Sequence, residues 1–104
     1  MVRVIAEVTF SPLGTATPSL SKYVVAALAV LEEHPEVEYK LNPMGTVLEG
    51  ERRDIIELIE AMNDAIFAAG APRVGTTLKI DERRDKPASM QHKVDVVMEG
   101  LSKT

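Results

Sequence analysis

Three short stretches rich in small and hydroxyl-bearing residues have the composition of a pocket mouth. They span residues 11–19, 42–46 and 73–77, and each contains a Gly-Thr pair. Glycine lets the backbone come close to a ligand, and a threonine hydroxyl both donates and accepts hydrogen bonds. If the fold brings the stretches together, they form a neutral, polar pocket mouth. The candidate ligand-binding residues within them are Thr15, Thr17, Ser19, Met44, Gly45, Thr46 and Thr76.

Two carboxylates within predicted strands join the candidate site. Glu7 lies in the middle of the first strand and Glu49 near the end of the third. A carboxylate there could accept hydrogen bonds from a ligand amine or balance a cationic ring. The alternative is that each carboxylate pairs with Lys79, Lys40 or an arginine.

Catalytic and metal-binding arrangements are not apparent in the chain. The absence of cysteine excludes thiol nucleophiles, disulfides and cysteine-ligated zinc. The local sequence around His34 and His92 offers no obvious carboxylate or nucleophile partner for catalysis. Residues 11–19 lack the lysine and spacing of a P-loop, and they lack the arginine that an acylphosphatase-like hydrolase would need. We therefore predict no catalytic residue, no metal and no cofactor, and we expect a protein that is not an enzyme.

Composition predicts one globular domain, spanning residues 1–104. With 45% hydrophobic residues and a net charge of −4, the chain has no basic footprint for nucleic acid or anionic lipid. No apolar run reaches the roughly 18 residues of a spanning helix. The first residues are too charged for a signal peptide, so a cytoplasmic location is expected.

Apolar periodicity predicts the element order βαββαβ followed by a C-terminal helix. Alternating residues indicate strands near 3–10, 37–41, 46–49 and 74–81, and helical spacing indicates helices near 18–33, 54–69 and from about 90 onward. This order is typical of an α+β, ferredoxin-like sandwich with the antiparallel sheet order 4-1-3-2. In that topology the three Gly-Thr stretches fall at one end of the sheet. The charged loop 81–85 falls at the other end, as a self-compensated ion-pair loop or as a cover for a neighbouring subunit's pocket.

Two helices carry more apolar surface than one small subunit can cover. Residues 23–31 are apolar nearly all round, and the last helix has a stripe of Met90, Val94, Val97, Met98 and Leu101. A homo-oligomer, dimer-based, is expected. For the open sheet face, a solvated surface with cross-strand Glu–Lys pairs is the alternative to a subunit interface.

The motifs Pro12-Leu-Gly-Thr15, Met44-Gly-Thr-Val-Leu-Glu49 and Thr76-Thr-Leu-Lys-Ile-Asp-Glu-Arg-Arg-Asp85 resemble those of the small archaeal and bacterial thiamine-binding-protein family. The resemblance extends from about residue 4 to residue 101. It implies a ferredoxin-like fold, a homotetramer, and non-catalytic binding of thiamine or its hydroxymethylpyrimidine moiety.

The chemistry of that ligand is compatible with the candidate residues. An aminopyrimidine amine and its ring nitrogens suit a carboxylate such as Glu49 together with threonine hydroxyls, and Tyr23 or Tyr39 could offer a ring face. The lack of a basic cluster near the pocket mouth favours the unphosphorylated ligand. The alternative is a structural or regulatory assembly module in which the Gly-Thr loops only shape turns.

Overall fold

A computed structural model describes residues 2–87 and 89–104, and it confirms the predicted element order. The elements are β1 (Arg3–Leu13), α1 (Ser21–Glu32), β2 (Glu38–Asn42), β3 (Gly45–Glu51), α2 (Arg52–Ala68), β4 (Arg73–Asp81) and α3 (Met90–Ser102). Two elements differ most from the prediction: β1 continues three residues beyond Phe10 to Leu13, and α1 begins three residues later than expected, at Ser21.

The four strands form one antiparallel sheet in the order β2-β3-β1-β4, which is the predicted order read from the other edge. On β1, Val8 lies opposite Thr46 of β3, and Phe10 lies opposite Thr76 of β4. The β2–β3 turn and the first half of β4 therefore lie toward the end of the sheet where β1 finishes. This confirms the α+β, ferredoxin-like topology.

The hydrophobic core lies between one sheet face and the helices α1 and α2. Successive side chains of a strand point to opposite faces, so Val4, Ala6 and Val8 of β1 share the buried face. The helix α2 presents one stripe to them, and the residues of that stripe are all buried: Ile55, Leu58, Ile59, Met62 and Ile66. Each fully buried aliphatic side chain contributes about 1.5–3 kcal/mol to folding.

The C-terminal helix α3 projects from this sandwich. Its first turn is capped by Ser89, whose hydroxyl accepts a hydrogen bond from the His92 backbone N–H at 3.1 Å. None of its residues is buried. The radius of gyration is 15.5 Å, whereas a compact chain of this length has about 13 Å. None of the helices in residues 2–87 and 89–104 has both the length and the hydrophobicity needed to cross a bilayer.

Candidate binding site

A cavity of about 160 Å³ lies between β1, the two core helices and the β2–β3 turn, and we call it the Thr46 cavity. The strand β1 supplies Thr9, Phe10 and Pro12. The other lining residues come from α1, from the β2–β3 region and from α2: Tyr23, Val24, Ala27, Leu28, Leu41, Asn42, Pro43, Met44, Gly45, Thr46, Met62 and Ile66. Most of this lining is apolar, and the polar side chains lie on β1, α1 and the turn.

Local sequence periodicity explains how the walls of the Thr46 cavity are built. Tyr23 and Ala27 are four residues apart on α1, and Met62 and Ile66 are four apart on α2, so each pair shares a helix face. Phe10 and Pro12 are two residues apart on β1, so both side chains lie on the strand face that also carries the core. The cavity is therefore the unfilled end of the core layer.

Gly45 allows the β2–β3 turn to lie directly against β1. A Cβ atom at this position would be 3.0 Å from Cγ2 of Thr9 and 3.3 Å from the Val8 carbonyl oxygen. Both distances are tighter than ordinary contacts, so a larger residue would push the turn away from β1. This glycine thus keeps the start of β3 close to β1 on the open face of the sheet, where Thr9 and Glu7 lie.

Thr46 is the deepest polar residue of the turn, with only 8% of its surface exposed. Among residues 2–87 and 89–104, no side-chain hydrogen bond involves Thr46. Within the same residues, no fully buried side-chain oxygen or nitrogen lacks a partner. The Thr46 hydroxyl is therefore accessible from the cavity and available to a ligand.

The two tyrosines differ in their relation to the cavity. Tyr23 lines it and is 4% exposed, with the Lys22 ammonium 5.0 Å from its ring centroid. Tyr39 lies outside the lining, and its hydroxyl donates a hydrogen bond to Glu32. That hydrogen bond raises the pKa of Tyr39. Of the two predicted ring faces, only that of Tyr23 is in position to contact a ligand in the cavity.

The predicted residues of the first stretch, Thr15, Thr17 and Ser19, lie in the β1–α1 loop and outside the lining of the Thr46 cavity. The Thr15 hydroxyl donates to the Thr17 carbonyl at 2.8 Å, and the Ser19 N–H donates to the Thr17 hydroxyl at 3.1 Å. The strand β1 continues with β4 from Val8 to Leu13, about 17 Å along the strand. This extension carries the loop away from the turn.

Thr76 lies toward the same end of the sheet but also outside the lining. Its hydroxyl donates to the side-chain oxygen of Asn63 on α2 at 2.6 Å. The three Gly-Thr stretches thus lie toward one end of the sheet, as the topology predicted, without forming one rim. Among the nine predicted site residues, the cavity lining includes Met44, Gly45 and Thr46.

Glu49 lies opposite Ile5, on the sheet face away from α1 and α2. It is 4% exposed, and both carboxylate oxygens are engaged. One oxygen accepts from the Arg3 guanidinium at 2.6 Å and the other from the Met90 backbone N–H at 2.7 Å. The alternative in which Glu49 pairs with an arginine is confirmed.

Glu7 also lies on the open sheet face, where it is exposed. Its neighbours across the sheet are Val47 on β3 and Lys79 on β4. This register makes Glu7 and Lys79 cross-strand neighbours, the Glu–Lys arrangement considered as the alternative to a subunit interface. Glu7 is not among the residues that line the Thr46 cavity.

Sequence reasoning did not place several apolar residues in the site. Four of them have the spacing of a strand or helix face buried against the sheet, so the sequence predicts only core positions for them: Phe10, Ala27, Met62 and Ile66. Pro12 belongs to a family motif, which does not by itself indicate a place in the cavity wall. The signal that could have found them is the convergence of these faces at the end where the β2–β3 turn lies.

The charged loop at the other end of the sheet is a network of ion pairs, as its alternating signs predicted. Arg83 binds Asp85 through two nitrogen atoms, at 2.5 and 2.8 Å. These hydrogen bonds lower the pKa of Asp85 to about 2 and raise the pKa of Arg83. Glu82 accepts from Arg84 and from Arg52, and its pKa is lowered for that reason.

The family profile described as thiamine-binding protein matches residues 6–98. The chain belongs to this family. A member from Bacillus subtilis, a UPF0045 protein, is 41% identical over 100 residues, which cover 93% of this chain and 96% of that protein. A crystal structure of a hypothetical protein from Methanocaldococcus jannaschii superposes with a TM-score of 0.86 at 36% identity, covering 95% of this chain and 99% of the other.

A more distant structure shares the fold of this thiamine-binding-protein family member. It is a putative thiamine biosynthesis/salvage protein from Thermotoga maritima, with a TM-score of 0.76 and 18% identity, covering 91% of this chain and 98% of that one. At this identity the likeness concerns the fold alone.

Proposed function

We propose that the chain binds a small nitrogen heterocycle, thiamine or its hydroxymethylpyrimidine moiety, in the Thr46 cavity and does not transform it. The observation that carries the proposal is a mostly apolar cavity with an accessible, nearly buried threonine hydroxyl. A flat, weakly polar ring suits such a site, because apolar walls bury its faces and a few polar groups orient it. The family description supports the choice of ligand.

The size of the cavity favours the pyrimidine half of thiamine as the inserted part. Its volume of about 160 Å³ is below the roughly 300–1,000 Å³ of pockets that enclose a whole drug-sized ligand. A single ring with small substituents is the better match. The remainder of thiamine would lie at the rim, beside Leu41 and Met44, which are 53% and 88% exposed.

Polar recognition in this proposal comes from hydroxyl and amide groups. The Thr46 hydroxyl and the Asn42 side chain can pair with the exocyclic amine and a ring nitrogen. Glu49, the carboxylate suggested for this role from the sequence, is committed to Arg3 and Met90. Since the lining contains no lysine or arginine, the unphosphorylated ligand is favoured.

The lining also supports binding without catalysis. Among the described residues that form the cavity, the polar side chains are Thr9, Tyr23, Asn42 and Thr46. They include no carboxylate, histidine or lysine that could act as a general base near neutral pH. A cytoplasmic carrier or buffer of the heterocycle fits this chemistry.

We further propose a homo-oligomer, a tetramer built from dimers, in which α3 packs on other copies of the chain. Four apolar side chains on one face of α3 are between 48% and 61% exposed: Val94, Val97, Met98 and Leu101. An apolar helix face of this extent in a soluble monomer favours burial against a partner. This exposed stripe also supports the alternative of an assembly module, which predicts the same oligomer without ligand binding.

Isothermal titration calorimetry with hydroxymethylpyrimidine, thiamine and thiamine diphosphate separates the two alternatives. The binding proposal predicts heat of binding with hydroxymethylpyrimidine and thiamine, and weaker binding of the diphosphate to the Thr46 cavity. The absence of binding by both hydroxymethylpyrimidine and thiamine at about 1 mM would reject it. An oligomer that binds none of them would favour the assembly module.

A further inference from the structure

A second concave surface lies at the opposite end of β1 from the Thr46 cavity. It is a groove of about 670 Å³ between the start of β1 and the β4–α3 loop. Four cationic side chains line it: Arg3, Arg83, Arg84 and Lys86. Two carboxylates, Asp81 and Asp85, line it as well. We call it the arginine groove. It carries an excess of two positive charges, although the chain as a whole has a net charge of −4.

The two loop arginines are held in place by their own carboxylate partners. Arg83 donates two hydrogen bonds to Asp85, and the Nε of Arg84 donates to Glu82 at 2.6 Å. A guanidinium carries five N–H donors, so each arginine keeps donors for a ligand after these bonds are made. Their side chains are 46% and 73% exposed, which leaves those donors accessible.

Arg3 supplies a cation from the first strand. Its Nη2 lies 2.6 Å from Glu49 and 3.9 Å from Glu38, and its side chain is 53% exposed. The flanking charged groups are three cations and four carboxylates, so counting them as well leaves a local excess of one positive charge. These flanking groups are Arg52, Lys79, Lys93, Glu38, Glu49, Glu51 and Glu82.

Several preset guanidinium groups around one groove suit an anion with more than one charged oxygen group. Planar guanidinium forks match the geometry of phosphate oxygens, and fixed forks lose little entropy on binding. The volume of 670 Å³ lies within the roughly 300–1,000 Å³ typical of small-molecule sites. We propose that the arginine groove binds a small phosphorylated anion of the size of pyrophosphate or a diphosphate ester.

This site is separate from the Thr46 cavity. On β1, Ile5 is the groove residue nearest the cavity and Thr9 is the cavity residue nearest the groove, four residue steps or about 13 Å apart. Ile5 faces the open side of the sheet, whereas the cavity walls formed by α1 and α2 lie on the core side. One thiamine-sized molecule cannot occupy both. The groove therefore holds a second ligand, and the inference does not depend on the function proposed for the cavity.

The test is calorimetric titration of the full chain with inorganic pyrophosphate and, separately, with ADP at constant ionic strength. The double variant Arg83→Gln/Arg84→Gln removes two groove cations, and Arg53→Gln/Arg73→Gln removes two exposed cations that do not line the groove. Because both variants lose the same net charge, a difference in affinity between them indicates a local site and not a general electrostatic effect. Circular dichroism checks that both variants remain folded.

We expect at least about tenfold weaker pyrophosphate binding in the groove variant and little change in the control variant. Binding of pyrophosphate assigns the site to the free anion, and binding of ADP alone assigns it to a diphosphate ester. If neither anion binds at up to about 10 mM, or if both variants lose affinity equally, the inference is wrong. Failure of hydroxymethylpyrimidine to bind would affect only the function proposed for the Thr46 cavity.

Discussion

The Glu49 carboxylate accepts a hydrogen bond from the Met90 backbone N–H at 2.7 Å, and this contact joins β3 to the first residue of α3. The other oxygen of the same carboxylate holds Arg3 of β1. Because α3 has no buried residue, such polar contacts near its first turn determine how it leaves the sheet. Lys93 adds a second anchor through Asp81 at 2.7 Å.

Replacing Glu49 should destabilise the fold and release the start of α3. Glu49→Ala leaves the Met90 N–H and the Arg3 guanidinium without this partner, at an expected cost of about 1–3 kcal/mol. Urea unfolding measures the free-energy change, and hydrogen exchange of the Met90 amide measures the local release. Glu38→Ala is the matched control, because Glu38 is 65% exposed and lies 3.9 Å from the same arginine. Equal stability of the two variants would show that Glu49 is no anchor.

Thr46→Val should weaken hydroxymethylpyrimidine binding by about tenfold, since it removes one hydrogen bond while keeping the shape of the side chain. Thr76→Val is the control: its hydroxyl lies toward the same end of the sheet but is bound to Asn63. Calorimetry should show near wild-type affinity for the control. If Thr46→Val bound hydroxymethylpyrimidine with unchanged affinity, this hydroxyl would not contribute to recognition of the ligand.

Charges introduced on the apolar face of α3 should break the proposed oligomer. Val97→Lys/Leu101→Lys places two ammonium groups on side chains that are 61% and 60% exposed. His92→Lys/Gly100→Lys adds a similar charge at two exposed positions on the other side of the same helix. Light scattering should give a mass well above 11.4 kDa for the wild type and the control, and the monomer mass for the first variant. A monomeric wild type would reject the assembly proposal.

Acid should weaken the charged loop over a defined pH range. The pKa of Asp85 is lowered from 3.8 to about 2 by Arg83, so its ionised form stabilises the folded loop above pH 3.8. That contribution is lost as the pH falls through about 2. The thermal midpoints of the wild type and Asp85→Asn should therefore differ near neutral pH and converge below about pH 2. A difference that persists unchanged at the lowest pH would contradict this linkage.

The fold could be predicted from the sequence because its periodicities are local. The alternation of Val4, Ala6 and Val8 marks a strand with one buried face, and the spacing of Ile55, Ile59, Met62 and Ile66 marks a helix with one buried stripe. Right-handed crossovers then leave few topologies for such an order of elements.

The site was less predictable because it depends on contacts between distant residues. The role of Glu49 is set by Met90, 41 residues later in the chain, which no local pattern reveals. The extension of β1 past Phe10 depends on pairing with residues 73–75 of β4, and this extension separates Thr15 from the β2–β3 turn. Thr46 was correctly placed toward the end of the sheet where β1 finishes because its position follows from topology alone.

The most direct measurement of the central proposal is the amide chemical-shift map of the full chain titrated with hydroxymethylpyrimidine. The proposal predicts that the largest shifts fall on the residues of the β2–β3 turn and on Thr9 and Ala27 across the Thr46 cavity. Glu49 and the loop arginines should change little. No shift with ligand at about 1 mM, or shifts confined to the end of the sheet near Glu49, would contradict binding in the Thr46 cavity.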